Sequence, residues 1–339
     1  MEKENKRRRI ERRASRTSQK GAPDHLKFVS QPSGSPYDTA GKEAGYNYFD
    51  SAGEGTRVYI VDSGLAQDHE EFNEVQGDIG WIYGRPDSQA AENDFDDKRA
   101  HGTCMASCAV GRKDGVAKKA SLTAVRVYRE DDLAFERLID ALAQVYDDII
   151  KRNLQGKAVI SMSIGQFSIT TDAYKDYMAA VEDAMAALTN GVIDGLDGAV
   201  VVAAGQDNTL APDNQPAQLP ATLVEQKCPK MIIVGGVDLT GAVADGTLEY
   251  KAGTTIDTMI WGPAEDVQCA IQNGYADDVS GTSPATAMTA GLIAYFMGEG
   301  NTGSEARELI FEHAYVRTPK SERTKRGMRN AISNGVECS

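Results

Sequence analysis

The run SGTSPATAMTAGLIAYFM, residues 280–297, decides how the rest of the chain is read. Four small residues meet a proline and then pass into an apolar stretch long enough for a buried helix. Pro284 suits a first helical turn, where its missing N–H has no partner to lose. That puts Ser283 at a helix start, among unpaired N–H groups and a partial positive charge. A hydroxyl there can act as a simple cap, or it can attack a carbonyl while the developing oxyanion is held nearby.

Working outward, short apolar runs alternate with helical patterns. RVYIVDSG (57–64) reads as a buried strand ended by a turn, and SLTAVRVY (121–128), AVISMSIG (158–165), GAVVVAAG (198–205) and MIIVGGV (231–237) read as further strands. HGTCMASCAVG (101–111) suits a tightly packed helix. Leu138, Leu142, Val145 and Ile149 define a second helix, capped at Asp131 or Asp132 and stopped near Gly156. Tyr174, Met178, Val181, Met185 and Leu188 give a third over 171–190. Residues 82–100 read as a polar, acidic loop. Strands that are apolar throughout and alternate with helices predict an α/β fold: three layers, with a mostly parallel central sheet and helices on both faces. Ligands bind such sheets at the carboxyl ends of the strands, where Asp62 falls.

The 339 residues are 41% hydrophobic and 25% charged, ordinary values for a globular chain. No apolar run reaches the roughly 18–20 residues needed to span a bilayer, and the N-terminus lacks the apolar core of a signal peptide. Residues 1–20 hold nine Lys/Arg against three Glu, a net of +6, which leaves −20 on the remainder of a chain whose total is −14. The expected organisation is therefore a basic, disordered arm over 1–20 and one domain over 21–339. So acidic a body argues against nucleic acid as the main partner. The five cysteines are odd in number and show no CxxC, which predicts buried free thiols rather than a disulfide framework or a zinc site.

Three stretches carry chemistry: VDSG around Asp62, HGT at His101 and SGTS at Ser283. A serine nucleophile needs a base, and the base needs a carboxylate to fix its tautomer. Taken singly, an Asp at a strand end is a turn residue and a Ser before a helix is an N-cap. In the order Asp, His, Ser they resemble the subtilisin family of serine peptidases. The likeness extends to YNYFDSAGEGTRVYIVDSGL (46–65), HGTCMAS (101–107), SMSIG (161–165), VVAAGQ (201–206), LPA (219–221) and IIVGG (232–236), all in order over residues 21 to about 335. His25, His69 and His313 lack the Gly-Thr context and read as surface or packing residues. A G-x-S-x-G elbow is excluded, since that fold needs an N–H on the residue after the serine and Pro284 has none.

The resemblance implies a serine endopeptidase with Asp62 orienting His101, His101 as general base and acid, and Ser283 as nucleophile. Gln206 and the Ser283 N–H would form the oxyanion hole. A polypeptide substrate would lie as an extended strand beside Ser163, Ile164 and Gly165, with Gly165 and Gly205 leaving room for a side chain. No cofactor is required for the chemistry and no catalytic metal is expected. The family's structural calcium could draw on ENDFDD (92–97), though a solvated acidic loop is the simpler expectation. The family's propeptide points to a precursor or a larger parent protein. Three departures stand out: Gln206 where Asn is usual, Ala287 where Pro is usual, and Cys104 where His is common. The Gln206 change keeps open an alternative, a weakly active or inactive domain serving as an interaction module. Cys104, on the His101 face of its helix, is expected chiefly to pack there; as a free thiol it could also make activity sensitive to mercury or oxidation.

Overall fold

The computed structural model describes residues 15–33, 45–75, 79–84, 97–129, 132–167, 171–205, 218–247, 258–317 and 329–336. The expected sheet is present. Its strands are β1 (Arg57–Asp62), β2 (Gly80–Tyr83), β3 (Ser121–Arg126), β4 (Ala158–Met162), β5 (Ala199–Ala203), β6 (Ile232–Val237) and β7 (Met259–Pro263). A hairpin, β8 (Val267–Ala270) and β9 (Tyr275–Val279), follows, and β10 (Tyr315–Val316) and β11 (Asn330–Ala331) complete the sheet edge. The nine-stranded order is β10-β11-β7-β6-β5-β4-β1-β3-β2. Every pairing in it is parallel except β10 with β11.

The apolar runs are continuous because both faces are covered. Along β1, Val58 and Ile60 enter one core cluster, while Tyr59 and Val61 enter the other. In β5, Val201 and its neighbours Val200 and Val202 divide in the same way. The first cluster packs against helices α1 (His101–Val110) and α4 (Thr282–Gly298). The second packs against α2 (Phe135–Lys151) and α3 (Lys175–Asn190). Helix α5 (Gly303–His313) begins at a capping box between Thr302 and Glu305. Helices α1 and α4 touch backbone to backbone: a Cβ on Gly291 would lie 2.5 Å from the Ala109 carbonyl oxygen.

Several sequence expectations change. Helix α2 is capped by Ala134, not by an aspartate; Asp132 lies in a two-residue strand and its carboxylate is held by Arg137, while Asp131 lies outside the described residues. Helix α3 starts a turn late, after a 3₁₀ turn at Asp172–Tyr174, and Tyr174 is 51% exposed rather than on the buried face. Strand β2 extends to Tyr83, into the stretch read as loop. Arg16–Gln19, within the expected arm, pairs antiparallel with Tyr46–Phe49.

The cysteines need the largest correction. Cys104 in α1 is bonded to Cys269 in β8, across 165 positions of sequence. The free thiol expected at Cys104 is instead half of a disulfide, so no thiol beside His101 is present to react. Spacing along the chain could not show this pairing, because only the fold brings the two residues together. Cys108 and Cys228 are buried free thiols as expected, and Cys338 lies outside the described residues.

Candidate active site

Strands β1, β4 and β5 run in parallel, so their carboxyl ends share one edge of the sheet. Asp62 is the last residue of β1 and is 1% exposed. Its two oxygens lie 2.8 and 2.9 Å from Nδ1 of His101, the first residue of α1. Because a carboxylate only accepts, this contact assigns the hydrogen to Nδ1 and leaves the Nε2 lone pair free. Ser63 N donates to Asp62 Oδ1 at 2.7 Å, which fixes the carboxylate in turn. The imidazole is 36% exposed. Burial is the largest single influence on it and opposes protonation. The charge and hydrogen bond of Asp62, with the charge of Asp97, together outweigh that burial, so the His101 pKa is raised above its ordinary value.

Asp97 is the residue that sequence reasoning missed. The stretch 92–97 was expected to be solvated acid or a source of calcium ligands, yet Asp97 is 0% exposed. Its Oδ2 accepts from the Thr103 backbone N–H at 2.8 Å and from the Thr103 hydroxyl at 2.7 Å, and its Oδ1 accepts from the Ser63 hydroxyl at 2.7 Å. Gly102 N then donates to Ser63 Oγ at 2.9 Å. One buried carboxylate thus caps the helix that carries His101 and ties it to the turn after Asp62. A carboxylate four residues before His101 is the only signal the sequence offers. With both oxygens engaged, Asp97 is poorly placed to serve a cation, and residues 92–96 lie outside the described residues. Among the described residues no group of three or more His, Cys, Asp or Glu is assembled to hold a metal.

Ser283 is the second residue of α4, whose N-cap is Gly281 at φ 135°, a backbone conformation that favours glycine. The side chain is half-buried. Ser163, just past β4, donates from its hydroxyl to the Ser283 carbonyl at 2.9 Å, and the Ser283 hydroxyl donates to the Ser163 carbonyl at 3.5 Å. Among the described residues no hydrogen bond links Ser283 to the imidazole. The nearest neighbour, Thr282, is buried, and its hydroxyl accepts from Gly205 N at 3.2 Å. This joins the end of β5 to the start of α4. Ile164 is 5% exposed and packs into the second core cluster, so only its backbone can face a ligand. Gln206 lies outside the described residues.

The other histidines serve packing. His25 is buried and bonded to the Asp114 carbonyl at 3.0 Å, with burial lowering its pKa to about 4. His69 Nε2 lies 2.9 Å from the Gly274 carbonyl, and His313 stacks on Phe296.

A family model described as "Subtilase family" matches residues 53–335. "Subtilisin-like protease 2" of Pseudogymnoascus destructans is 34% identical over 265 residues, covering 77% of this chain and 56% of that protein. "Alkaline protease 1" of Emericella nidulans is 32% identical over 294 residues, covering 86% of this chain and 62% of that protein. The chain therefore spans about three-fifths of the length of these relatives. A solved structure titled "Crystal structure of a cold adapted subtilisin-like serine proteinase" superposes with a TM-score of 0.67 at 23% identity, covering 93% of this chain and 99% of that one. That likeness concerns the fold. Among the described residues no helix is long and apolar enough to cross a membrane.

Proposed function

The chain belongs to the subtilase family, and from that premise we propose that it is a serine endopeptidase that cleaves polypeptides through an acyl-enzyme on Ser283. The observation that carries the reading is the two-oxygen contact of buried Asp62 with Nδ1 of His101. It holds the imidazole in the tautomer a general base requires.

In the proposed cycle the Ser283 hydroxyl turns away from the Ser163 carbonyl and gives its proton to Nε2 as Oγ attacks the scissile carbonyl. The imidazolium so formed lies beside Asp62 and then protonates the leaving amine. Water, deprotonated by the same Nε2, releases the acyl group. The oxyanion meets the Ser283 N–H at the start of α4, and Gln206 is the proposed side-chain donor. Removing such a donor lowers turnover by about 10²–10³, so a glutamine in place of the usual asparagine modulates the rate without abolishing it. Substrate would run beside Ser163–Gly165, hydrogen-bonding through its backbone.

Treatment with a fluorophosphonate followed by intact-mass measurement tests the reading. One adduct is expected, absent in Ser283→Ala. A well-folded protein that takes no adduct would overturn the reading in favour of an inactive interaction module.

A further inference from the structure

Away from the proposed site, two carboxyl groups are sealed inside one joint. Glu71, in a 3₁₀ turn (Glu70–Phe72), and Asp114, in the loop after α1, are both 0% exposed. Glu71 Oε2 accepts from the backbone N–H groups of Lys113 at 2.9 Å and Asp114 at 3.1 Å, and its Oε1 lies 2.9 Å from the Tyr275 hydroxyl on β9. A Cβ on Gly111 would lie 2.2 Å from that Oε2, so the loop backbone closes over the group. Asp114 Oδ1 accepts from Gln268 Nε2 on β8 at 2.9 Å. Its Oδ2 is buried and has no hydrogen-bond partner among the described residues. The pair thus joins the loop after α1 to both strands of the hairpin.

Among the described residues no cation is paired with Asp114. On its own loop, Arg112 pairs with Glu70 at 3.7 Å, Lys113 Nζ lies 4.2 Å from the centre of the Tyr275 ring, and Lys118 Nζ donates to the Arg112 carbonyl at 2.9 Å. From the helix Asp24–Val29, His25 meets the Asp114 carbonyl rather than its carboxyl, and Asp24 acts on His25. From α1, Cys108 is a buried thiol whose ionisation is opposed by burial and by Asp114. From the 3₁₀ turn and its exit come the acids Glu70, Glu71 and Glu74. A buried, unpartnered carboxyl oxygen beside a second carboxylate is costly to ionise. Burial, and next the charge of Glu71, push the Asp114 pKa up to about 7 against the weaker pull of Lys113, Lys118 and Gln268.

We propose that Glu71 and Asp114 form a proton-dependent latch: with a proton on Asp114 the loop after α1 stays seated on the hairpin, and without it two like charges face each other and the joint loosens. The latch is shared by the elements that present both proposed catalytic side chains, since α1 begins at His101 and β9 leads through Gly281 into α4. Between the ordinary aspartate value of roughly 3.9 and the raised one, the folded chain keeps a proton that the unfolded chain has released. The contribution of Asp114 to stability therefore falls as pH rises across that window and is level above it. His25 acts in the opposite sense, because burial lowers its pKa to about 4 and its contribution rises with pH from there to its ordinary value. Lys118, lowered by burial to about 8, titrates above the window. Comparison with a variant that lacks only the Asp114 charge separates the latch from both.

The test uses the full chain carrying Ser283→Ala, which keeps a peptidase from digesting itself and makes the result independent of the endopeptidase reading. Melting curves are recorded at about pH 5 and about pH 7.5, on either side of most of the window, with and without Asp114→Asn. The substitution keeps an oxygen for Gln268 and cannot ionise. Over that interval the midpoint of the parent is expected to fall by about 5 °C relative to that of the Asp114→Asn protein. Midpoints that run parallel would reduce Asp114 to an ordinary packing contact and overturn the latch. A second measurement needs no variant to fold. The infrared C=O band of protonated carboxyl groups, followed in the parent as pH is raised, is expected to show a carboxyl that loses its proton near pH 7. A parent in which every carboxyl is already ionised at about pH 6, roughly two units above ordinary carboxyl values, overturns the latch as well.

Discussion

Helices α1 and α4 each present one proposed catalytic side chain at their first turn, yet their N-termini are finished in opposite ways. On α1 the first N–H groups are taken: Gly102 N by Ser63, Thr103 N by the Asp97 carboxylate, and Cys104 N by the Ala100 carbonyl. On α4 the N-cap is a glycine, no side chain caps the helix, and the third residue is a proline without an N–H. A capped terminus has its positive potential offset by the anion on it, whereas an uncapped one keeps that potential for an incoming group. The difference follows the chemistry proposed for each side chain. His101 has to take up a proton, and carboxylates on two sides favour that. Ser283 has to generate an oxyanion beside it, and the open terminus favours that.

The largest way to break the comparison is on α4. Ser283→Ala should lower turnover by about 10⁶, the loss expected when a nucleophile acting with its base is removed. Among the described residues the only side-chain bond lost is the 3.5 Å contact with the Ser163 carbonyl, so the thermal midpoint should stay within a degree or two of the wild type. Peptide hydrolysis and a melting curve on the same preparation check both halves. On α1 the corresponding cut is Asp62→Asn. It removes the charge and turns one of the two acceptor oxygens into a donor, which favours the wrong imidazole tautomer, and should lower kcat by about 10⁴. Because Asp62 also raises the His101 pKa, the residual activity should titrate at lower pH than the wild type.

How far the sequence foretold this pair depends on the range of each interaction. The strand ends that carry Asp62 and Gly205, and the helix starts at His101 and Ser283, rest on runs of adjacent residues, and periodicity exposes those. The capping of α1 does not, because Asp97, Ser63 and Thr103 converge only once β1 and α1 are docked. Asp97 therefore looked like one more acid in a polar loop. Cys104 and Cys269 pair across most of the domain, and no local pattern marks them.

That disulfide sharpens the comparison, because it joins α1 to the hairpin that leads through Gly281 into α4. Ala270 N also donates to Ser107 Oγ at 2.9 Å, so the hairpin is held to α1 beside the bond as well as by it. Replacing both cysteines, Cys104→Ser with Cys269→Ser, releases a long loop in the unfolded chain and should lower stability by about 2–5 kcal/mol. Denaturant midpoints with and without reductant should separate for the wild type and coincide for the double variant. The kcat of the folded fraction should change far less than in Asp62→Asn, since the Asp62 and Asp97 contacts remain.

The smallest expected effect is also the most discriminating. Asp97→Asn keeps the size of the side chain and an oxygen for Thr103 N, but it removes the charge and gives Ser63 a donor where it met an acceptor. Loss of a good cap costs about 0.5–2 kcal/mol, and the chemistry should survive because Asp62 still holds Nδ1. What should move is the pH profile. Asp97 is among the groups that raise the His101 pKa, so without its charge the imidazole becomes neutral at lower pH, and the acid limb of kcat/KM shifts to lower pH. Stability carries the same sign. A histidine with a raised folded pKa stabilises the fold fully below its unfolded value of roughly 6.5, and that contribution fades as pH rises through the folded value. The variant should therefore be penalised more on the acid side of that window than above it. A uniform loss at every pH with an unmoved acid limb would reduce Asp97 to a plain helix cap, and the electrostatic half of the contrast between α1 and α4 would go with it.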